Sequence, residues 1–328
     1  MSKISTTYMG LELKNPIIVG SSPLTSTLEG LKKCEDAGAG AVVVKSIFEE
    51  QIDQDSAKMI KESSEYLTHA DGAAFVEEVS RNYYIDNYLT LIEKATDALD
   101  IPVIASVNCR SLGSWTDYVD RFSNIGADAL EINQYILPSD MADDSARIES
   151  EYLQLVSAVR EKTSLPLSLK LGNSFSSFAH MIKRFDDMNV DGFVMFNRFY
   201  QPDIDIAKLS LKPSVNFSNP DDYGLALQWT ALLSAYLEAD ICASNGVHDG
   251  EALIKLLLSG AKAVQVVTAI LKGGLSVIGE MNSTLEKWMD EKGFDSFVDF
   301  RGKLAHKRLD NPAVWERSQY MKSLNVEF

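Results

Sequence analysis

Two lysines stand where apolar strand candidates end. Lys45 follows the segment AVVV and Lys170 follows LSL, and neither has a carboxylate as an immediate neighbour. An ammonium group that starts from a protein interior needs an anion or an acceptor-rich ligand to offset its lost hydration. A lysine with a depressed pKa can instead form a Schiff base with a carbonyl substrate. The two lysines therefore indicate either a binding site for an acceptor-rich ligand or Schiff-base chemistry.

Hydrogen-bonding residues end the other strand candidates in the same way. They are Ser21, Ser22, Ser46, Asn108, Asn133, Asn197, Ser244, Asn245, Gly246 and Thr268. The carboxyl ends of parallel barrel strands meet at one rim, so we expect these residues to surround one large, flat ligand with many acceptor atoms.

The segments ASNGVHDG and VVTAILKGG have the composition of anion-binding turns. The first leads into a helix predicted to begin near Asp249 or Gly250, and Thr268 opens the turn after the last strand. Backbone N–H groups at such turns and at helix N-termini commonly bind phosphate after the seventh and eighth strands of a barrel. We therefore predict a phosphate site there.

Eight short apolar segments alternate with longer amphipathic ones along the chain. The strand candidates are residues 15–21, 41–46, 102–108, 129–133, 166–172, 192–197, 240–246 and 263–269. They are β-branched and almost continuously apolar, as buried parallel strands are. Strict alternation predicts a (β/α)8 barrel, and the lack of GxGxxG after the first strand argues against an open doubly wound sheet.

We take residues 1–328 as a single domain. Four of its segments lie outside the minimal barrel. Residues 5–15 are predicted to form a hairpin that turns at Met9-Gly10. Residues 47–84 and 198–222 are predicted to form long loops after strands two and six, and long loops often serve as lids or binding loops. Residues 290–328 are predicted to be a polar helical tail that packs outside the barrel.

Composition narrows the range of partners. The chain has 31 Lys and Arg against 47 Asp and Glu, a net charge of −16, which disfavours nucleic acid and anionic membranes as partners. No apolar run is long enough to span a membrane, and three widely separated cysteines favour a reducing, cytoplasmic compartment. We expect a small-molecule substrate, and a second copy of the chain stays open as a partner.

The order and spacing of the strand ends resemble the dihydroorotate dehydrogenase family of FMN-dependent barrels, over roughly residues 5–290. The resemblance rests on the segments LELKNPIIVGSSP, VVVKS, SVN, LEIN, LSLKL, FVMFN, ASNGV and VQVVTAI. It implies FMN as the cofactor and hydride transfer between a small, dihydropyrimidine-like substrate and the flavin.

The resemblance also implies roles for individual residues. Ser21 and Ser22 would lie under the flavin, Lys45 and Ser46 beside flavin and substrate, Asn108 and Asn133 near the flavin, and Asn197 facing the substrate. Lys170 would meet the pyrimidine edge of the flavin. The phosphate turns would be Asn245-Gly246 and Val267-Thr268, where Asn245 and Val267 replace two glycines of the family pattern.

The substrate half of the family pattern is mostly replaced. In NQYILPSD, Ile136 stands where the family has its Cys or Ser base, and Pro138 replaces an asparagine. In HADGAAF, Gly72 remains, but His69 and Phe75 replace two further asparagines. Isoleucine cannot transfer a proton, so a dihydroorotate oxidation would need another base.

Four residues are candidates for that base: Tyr135, His69, Asp71 and Cys109. His69 is the best placed of them chemically, because its ordinary pKa suits general-base work near neutral pH. Each also has a purely structural interpretation. Two other functions stay open: a lysine-dependent lyase or aldolase acting on a phosphorylated metabolite, and a flavin-binding protein without turnover. The sequence does not indicate the electron acceptor.

Overall fold

Eight parallel strands close into a barrel. The computed structural model describes residues 3–48, 50, 70–109, 119–198, 202–212 and 217–316. The strands are β1 Ile17–Val19, β2 Ala41–Val43, β3 Val103–Cys109, β4 Ala129–Gln134, β5 Leu167–Leu171, β6 Gly192–Met195, β7 Asp240–Ser244 and β8 Ala263–Val266. Each strand pairs in parallel with the next, and β8 pairs with β1. The predicted (β/α)8 barrel is confirmed, with all eight strands where the sequence predicted them.

Helices follow the strands around the outside. They are α1 Leu28–Asp36, α2 Ala70–Ala98, α3 Val119–Asn124, α4 Ser145–Lys162, α5 Phe178–Asp186, α6 Gly224–Leu233, α7 Gly250–Ser259 and α8 Ser276–Lys292. A further short helix, Thr268–Gly273, lies between β8 and α8. Among the described residues, none of the helices is both long enough and apolar enough to cross a membrane.

The long loop predicted after β2 is partly helix. A two-residue strand, Ile47–Phe48, pairs with the end of β3. The helix α2 begins at Ala70, within the span of 47–84 that was predicted to be a loop. No proline interrupts residues 70–98, and the only glycine, Gly72, lies in the first turn, so the backbone can continue as one helix. The prediction of a loop over residues 47–84 is therefore wrong from Ala70 onward. The part of the predicted loop at residues 49 and 51–69 lies outside the described residues.

The N-terminal hairpin closes the bottom of the barrel, as predicted. Its strands, Thr6–Tyr8 and Leu11–Leu13, are antiparallel, and its turn holds Met9 at φ 53° and Gly10 at φ 76°. Tyr8 and Leu13 are buried among the small inward side chains of the strands. The Met9 amide donates to an Asp240 carboxylate oxygen at 2.9 Å, at the N-terminal end of β7. The opposite rim is left open for a ligand.

Two other segments leave the barrel. The loop after β6 contains an antiparallel pair of strands, Asp203–Asp205 and Ser210–Lys212, within the long loop predicted there. The tail beyond α8, predicted as helical, holds single-turn 3₁₀ helices at Phe297–Asp299, His306–Arg308 and Pro312–Trp315 in its described part. Phe297 and Phe300 are buried, so this segment packs on the protein.

Gly192 gives a test of how tightly the hairpin fills the barrel. A Cβ at Gly192 would lie 2.7 Å from the Tyr8 hydroxyl and 2.9 Å from Met9 Cγ, and Tyr8 is fully buried. We expect Gly192→Ala to lower the free energy of unfolding by about 1–3 kcal/mol, because overpacking forces neighbours from their positions. Urea unfolding followed by circular dichroism measures this.

Gly279→Ala is the matched control, since nothing lies within 4 Å of its Cβ position in α8. It should stabilise the protein slightly, by about 0.5–1 kcal/mol, through helix propensity. Equal unfolding midpoints for the two variants would contradict the tight fit.

Candidate active site at the barrel rim

A cavity of about 260 Å³ opens at the carboxyl ends of the strands. It brings together many of the predicted site residues: Ser21, Lys170, Asn197, Ser244, Asn245, Gly246, Val267 and Thr268. It is also lined by Phe196, Arg198, Phe217, Ser218, Val247, Gln265 and Leu271, which the sequence analysis did not single out. The strand ends therefore converge on one rim, as parallel strands require.

Lys170 belongs to a hydrogen-bonded chain of three buried side chains. Its ammonium donates to the Gln265 Oε1 atom at 2.9 Å, and Gln265 Nε2 donates to Glu131 Oε2. Lys170 is 8% exposed and Glu131 is 1% exposed. The amide of Gln265 uses its acceptor toward the cation and its donor toward the carboxylate, so both ends of the amide are matched. We call this set the Lys170–Gln265–Glu131 chain.

The Glu131 carboxyl group lies below the cavity, inside the barrel. Burial raises its pKa, while the charge of Lys170 and the hydrogen bond from Gln265 act in the opposite direction. Its Oε1 atom has no hydrogen-bond partner among the described residues. A carboxyl group so placed depends on Lys170 and Gln265 for compensation of its lost hydration.

Three asparagine side chains follow the rim beside Lys170. Asn108 pairs with Asn133 in the sheet, and Asn133 pairs with Lys170. Asn197 Nδ2 donates to Asn133 Oδ1 at 2.6 Å. Neighbouring strand ends thus present amide groups to the same side of the barrel, where they can serve a ligand with several acceptors and donors.

A run of hydroxyl groups ties β1, β2 and β3 together at the rim. Ser21 and Ser46 hydroxyls lie 2.9 Å apart, and Ser46 and Ser106 hydroxyls 2.8 Å apart. Tyr88 of α2 donates to the Ser106 carbonyl and accepts from its amide, both at 2.8 Å. Ser22 instead donates from its amide to Thr25 in the turn before α1. Ser21 and Ser46 belong to the rim, and Ser22 shapes a turn.

The turn after β7 has the conformation that an anion-binding loop needs. Asn245 and Gly246 have consecutive positive φ angles of 80° and 73°. A Cβ at Gly246 would lie 2.1 Å from the backbone nitrogen of Tyr223, so only glycine fits there. Asparagine is among the residues that most readily adopt the left-handed conformation, so Asn245 can replace a glycine. Such successive left-handed or turn residues form concave N–H groups that bind anions.

Val267 also stands in the place of a glycine. Its φ of −134° is negative, so the position does not need the left-handed conformation that favours glycine. Its side chain occupies the space beside Gly20, where a Cβ would lie 2.8 Å from Val267 Cγ2. The two departures from the family pattern in the phosphate turns are therefore compatible with the backbone that the turns need.

Phe217 and Ser218 line the cavity, and Ser218 is held in place by three hydrogen bonds. The Ser218 amide donates to Thr268 Oγ1 at 3.3 Å, its hydroxyl lies 2.9 Å from His248 Nε2, and Lys272 donates to its carbonyl at 3.2 Å. Burial and the nearby Lys272 lower the pKa of His248, so its ring is mainly neutral at pH 7. None of these contacts has a local sequence signal, because they join segments distant in the chain.

Arg198 brings a second cation to the cavity wall. It donates to an Asp222 carboxylate oxygen at 2.7 Å and to Asn245 Oδ1 at 3.3 Å. The pair links the loop after β6 to the turn after β7, next to the left-handed residues. In the sequence, only the position of Arg198 directly after Asn197 could have identified it as a site residue.

Several predicted residues lie elsewhere. Lys45 lines a second cavity of about 260 Å³ with Ser46, Asn87 and Tyr88, separate from the one that Lys170 lines. Tyr135 and Ile136 line a small cavity of about 30 Å³. There the Ile136 amide donates to the Tyr152 hydroxyl at 3.2 Å.

The remaining base candidates are not seen near the rim cavity. Cys109 is buried and forms no disulfide, like Cys34 and Cys242. His69 lies outside the described residues, and the Asp71 side chain is not described either. Within the described part of the chain, no cluster of His, Cys, Asp and Glu side chains could hold a metal ion.

The protein is a (β/α)8 barrel with its candidate site at the carboxyl ends of the strands. The family model described as dihydroorotate dehydrogenase matches residues 3–289. The chain belongs to the dihydroorotate dehydrogenase family, whose members are flavin-dependent oxidoreductases that act on CH–CH bonds.

Named relatives are distant but cover almost the whole chain. The catalytic subunit of dihydroorotate dehydrogenase B (NAD(+)) from Thermoplasma volcanium is 27% identical over 310 residues, which is 92% of this chain and 98% of the relative. The same subunit from Pyrococcus furiosus is 26% identical, over 93% of this chain and 99% of the relative. The NAD-dependent dihydropyrimidine dehydrogenase subunit PreA of Escherichia coli K12 is 23% identical, over 91% of this chain and 76% of PreA.

The buried carboxyl group of Glu131 predicts a pH dependence of stability. The folded protein keeps this proton to a higher pH than the unfolded chain does, because burial raises the pKa above its ordinary 4.5. The contribution of this group to the free energy of unfolding is therefore greatest below pH 4.5. It is lost as the pH rises from 4.5 through the higher pKa of the folded state.

Glu131→Gln has no such titration and can still accept from Gln265. We expect the stability of the variant relative to the unaltered protein to increase as the pH rises from 4.5 toward neutrality. Urea unfolding of both proteins across this range measures it. A stability difference that stays constant with pH would show that Glu131 has the same pKa in both states.

Proposed function

We propose that the chain is an FMN-dependent oxidoreductase that transfers hydride between a small dihydropyrimidine-type substrate and the flavin. The observation that carries the proposal is the rim cavity itself, which has the Lys170 ammonium at one side and the left-handed Asn245-Gly246 turn at the other. A flavin mononucleotide needs this combination: a cation at its electron-rich ring edge, and backbone N–H groups for its phosphate.

The residues present fit this cofactor. Lys170 would stabilise negative charge at the pyrimidine edge of the flavin, and the amides of Asn108 and Asn133 would hydrogen-bond the ring. The turns at Asn245-Gly246 and Val267-Thr268 would hold the phosphate. When bound, the flavin supplies the chemistry of accepting and returning a hydride.

The Lys170–Gln265–Glu131 chain supports a binding role for this lysine. A lysine side chain that moves freely in solvent contributes little to ligand affinity, because it must be ordered on binding. Lys170 is already oriented by its hydrogen bond to the Gln265 amide. No comparable observation favours a lysine-dependent lyase, so we do not retain that alternative.

We propose that Asn197 and the second cavity serve the substrate. Lys45 in that cavity lies with Ser46, Asn87 and Tyr88, a polar surface suited to a small ring with carbonyl and amide groups. Lys45, His69 and Tyr135 stay our candidates for proton transfer. The relative PreA is named for a dihydropyrimidine, which agrees with this class of substrate.

We place the reaction in the cytoplasm, on a single domain of residues 1–328. The three cysteines are buried and form no disulfide, which agrees with a reducing compartment. The net charge of −16 disfavours nucleic acid as a partner. The relatives are named as subunits, which supports a separate protein as the electron acceptor.

The first test is flavin binding and its dependence on Lys170. Purified protein should be yellow or should quench FMN fluorescence on titration. Lys170→Met should weaken FMN binding by about 1.5–3 kcal/mol, roughly tenfold to a hundredfold, because a charge-assisted hydrogen bond is lost. It should also lower the midpoint potential of the bound flavin, since the reduced form loses its cation.

Lys32→Met is the matched control, because Lys32 is exposed on α1 and lines neither of the two proposed binding cavities. It should bind FMN like the unaltered protein. No FMN binding by the unaltered protein would refute the proposed function. Unchanged affinity and potential in Lys170→Met would remove only Lys170 from the site.

The second test concerns dihydroorotate. Ile136 offers no proton acceptor, and a positioned base typically contributes about 10²–10⁴ in rate. We expect dihydroorotate to bleach the flavin slowly or not at all under anaerobic conditions, while dithionite reduces it fully. Ile136→Cys should restore little, because Phe75 and Pro138 also replace family residues that position the ring.

A screen of reduced and oxidised pyrimidines for flavin bleaching or reoxidation would then identify the substrate. Rapid, saturable bleaching by dihydroorotate would contradict the prediction, and His69→Ala would be the first variant to make. A flavin that no pyrimidine reduces or reoxidises would favour a binding protein without turnover.

A further inference from the structure

Glu131 and Lys170 are two groups of opposite charge that a single neutral amide separates. Gln265 accepts from the Lys170 ammonium at 2.9 Å and donates to Glu131 Oε2, and all three side chains are buried. Electrostatic interactions are stronger where little water screens them. The charged form of Glu131 is therefore stabilised by Lys170, and any other anion that uses the Lys170 charge weakens this stabilisation.

The second carboxyl oxygen of Glu131 has room for a proton. Oε1 is buried and has no hydrogen-bond partner among the described residues. Ser168 lies directly opposite Glu131 in the register of β4 and β5, and its hydroxyl oxygen is also buried without a partner in that part of the chain. A serine hydroxyl can accept from a carboxylic acid and donate to a carboxylate. The surroundings can therefore accommodate Glu131 in both its protonated and its charged form.

The other titratable groups around Glu131 stay neutral in the working range of pH. They are Tyr8 of the N-terminal hairpin, Tyr88 of α2 and Cys242 of β7. Burial raises the pKa of the two tyrosines above the ordinary 10 and that of Cys242 above the ordinary 9, and the negative charge of Glu131 raises all three further. Of these neighbours, Lys170 alone carries a charge, so Glu131 is the group of this interior that changes charge between pH 4.5 and 9.

Reduction of a bound flavin by a hydride would add one negative charge beside Lys170, if the proposed function holds. The Lys170 charge would then be shared between the flavin and Glu131, and the buried carboxylate would lose part of its compensation. We propose that Glu131 takes up one proton when the flavin is reduced. The hydride supplies both electrons, the proton comes from solvent, and an O–H bond forms on the carboxyl group, so the net charge of the site stays the same. The coupling between Glu131 and Lys170 does not itself depend on the flavin.

The first experiment measures this coupling in the oxidised protein as purified. Infrared spectra over a range of pH should contain a carboxylic acid C=O band that titrates above pH 4.5 and that Glu131→Gln removes. In Lys170→Met the band should titrate at a higher pH than in the unaltered protein, because the compensating charge is lost. The same titration in both proteins would overturn the coupling, whether or not the protein binds FMN.

The second experiment measures the midpoint potential of bound FMN against pH in the unaltered protein and in Glu131→Gln. The two potentials should coincide at low pH, where Glu131 is protonated in both redox states. As the pH rises, the potential of the unaltered protein should fall more steeply, by one additional proton per two electrons, and the variant should keep the higher potential. The reduced-minus-oxidised infrared spectrum should show a gain of the carboxylic acid band only in the unaltered protein.

Glu29→Gln is the matched control, because it removes the same charge from an exposed position on α1 that lines neither cavity. Its potential should have the same pH dependence as that of the unaltered protein. A difference between the unaltered protein and Glu131→Gln that stays constant with pH would overturn the proton uptake and leave Glu131 a structural role, while the proposed function would stand. A protein that binds no FMN would refute the proposed function and the proton uptake together, and the Lys170→Met titration would still decide the coupling.

Discussion

The rim of this barrel depends on one buried electrostatic arrangement, in which a carboxyl group and an ammonium group share an amide between them. Glu131 is almost completely excluded from water, and a charge so placed costs several kcal/mol unless it is compensated. Gln265 compensates it from the opposite wall of the barrel and at the same time accepts from Lys170. Because β4, β5 and β8 each contribute one member, the Lys170–Gln265–Glu131 chain forms only when the barrel has closed.

This arrangement explains why the upper interior of the barrel is polar while its lower interior is apolar. The N-terminal hairpin fills the lower part with Tyr8 and Leu13. Above them, positions on β3, β4, β5 and β8 are occupied by Ser106, Glu131, Ser168 and Gln265, all buried. The polar layer is costly in isolation. A ligand that needs a cation would find Lys170 already oriented by its hydrogen bond to Gln265.

The sequence alone predicts the barrel and one wall of the site, and it does so for a physical reason. Apolar strands in alternation with helices leave few topologies, and the residues at the strand ends, such as Lys170 and Asn197, must then share a rim. The start of α2 was placed too late, because the polar, Ala-rich segment after Ala70 lacks a clear apolar period. Glu131 and Gln265 could have been found by following the period of two inward from Asn133 and Val267. Ser218 and His248 could not, since only tertiary contacts bring them together.

The two halves of the site rest on different parts of the fold, and this difference bears on how the family pattern can change. The proposed cofactor half lies on strands and on turns that the barrel fixes: Gly246 has no room for a side chain, and Lys170 is hydrogen-bonded to a buried partner. Substitution there disturbs the barrel itself. The proposed substrate half would come from the segments after β2 and β4, where Ile136 and Pro138 lie outside the strands. Ile136 and Pro138 are less buried than Lys170, so substitution at these two positions costs the barrel less. Under the proposed function, substrate chemistry can therefore diverge while the cofactor-binding residues stay.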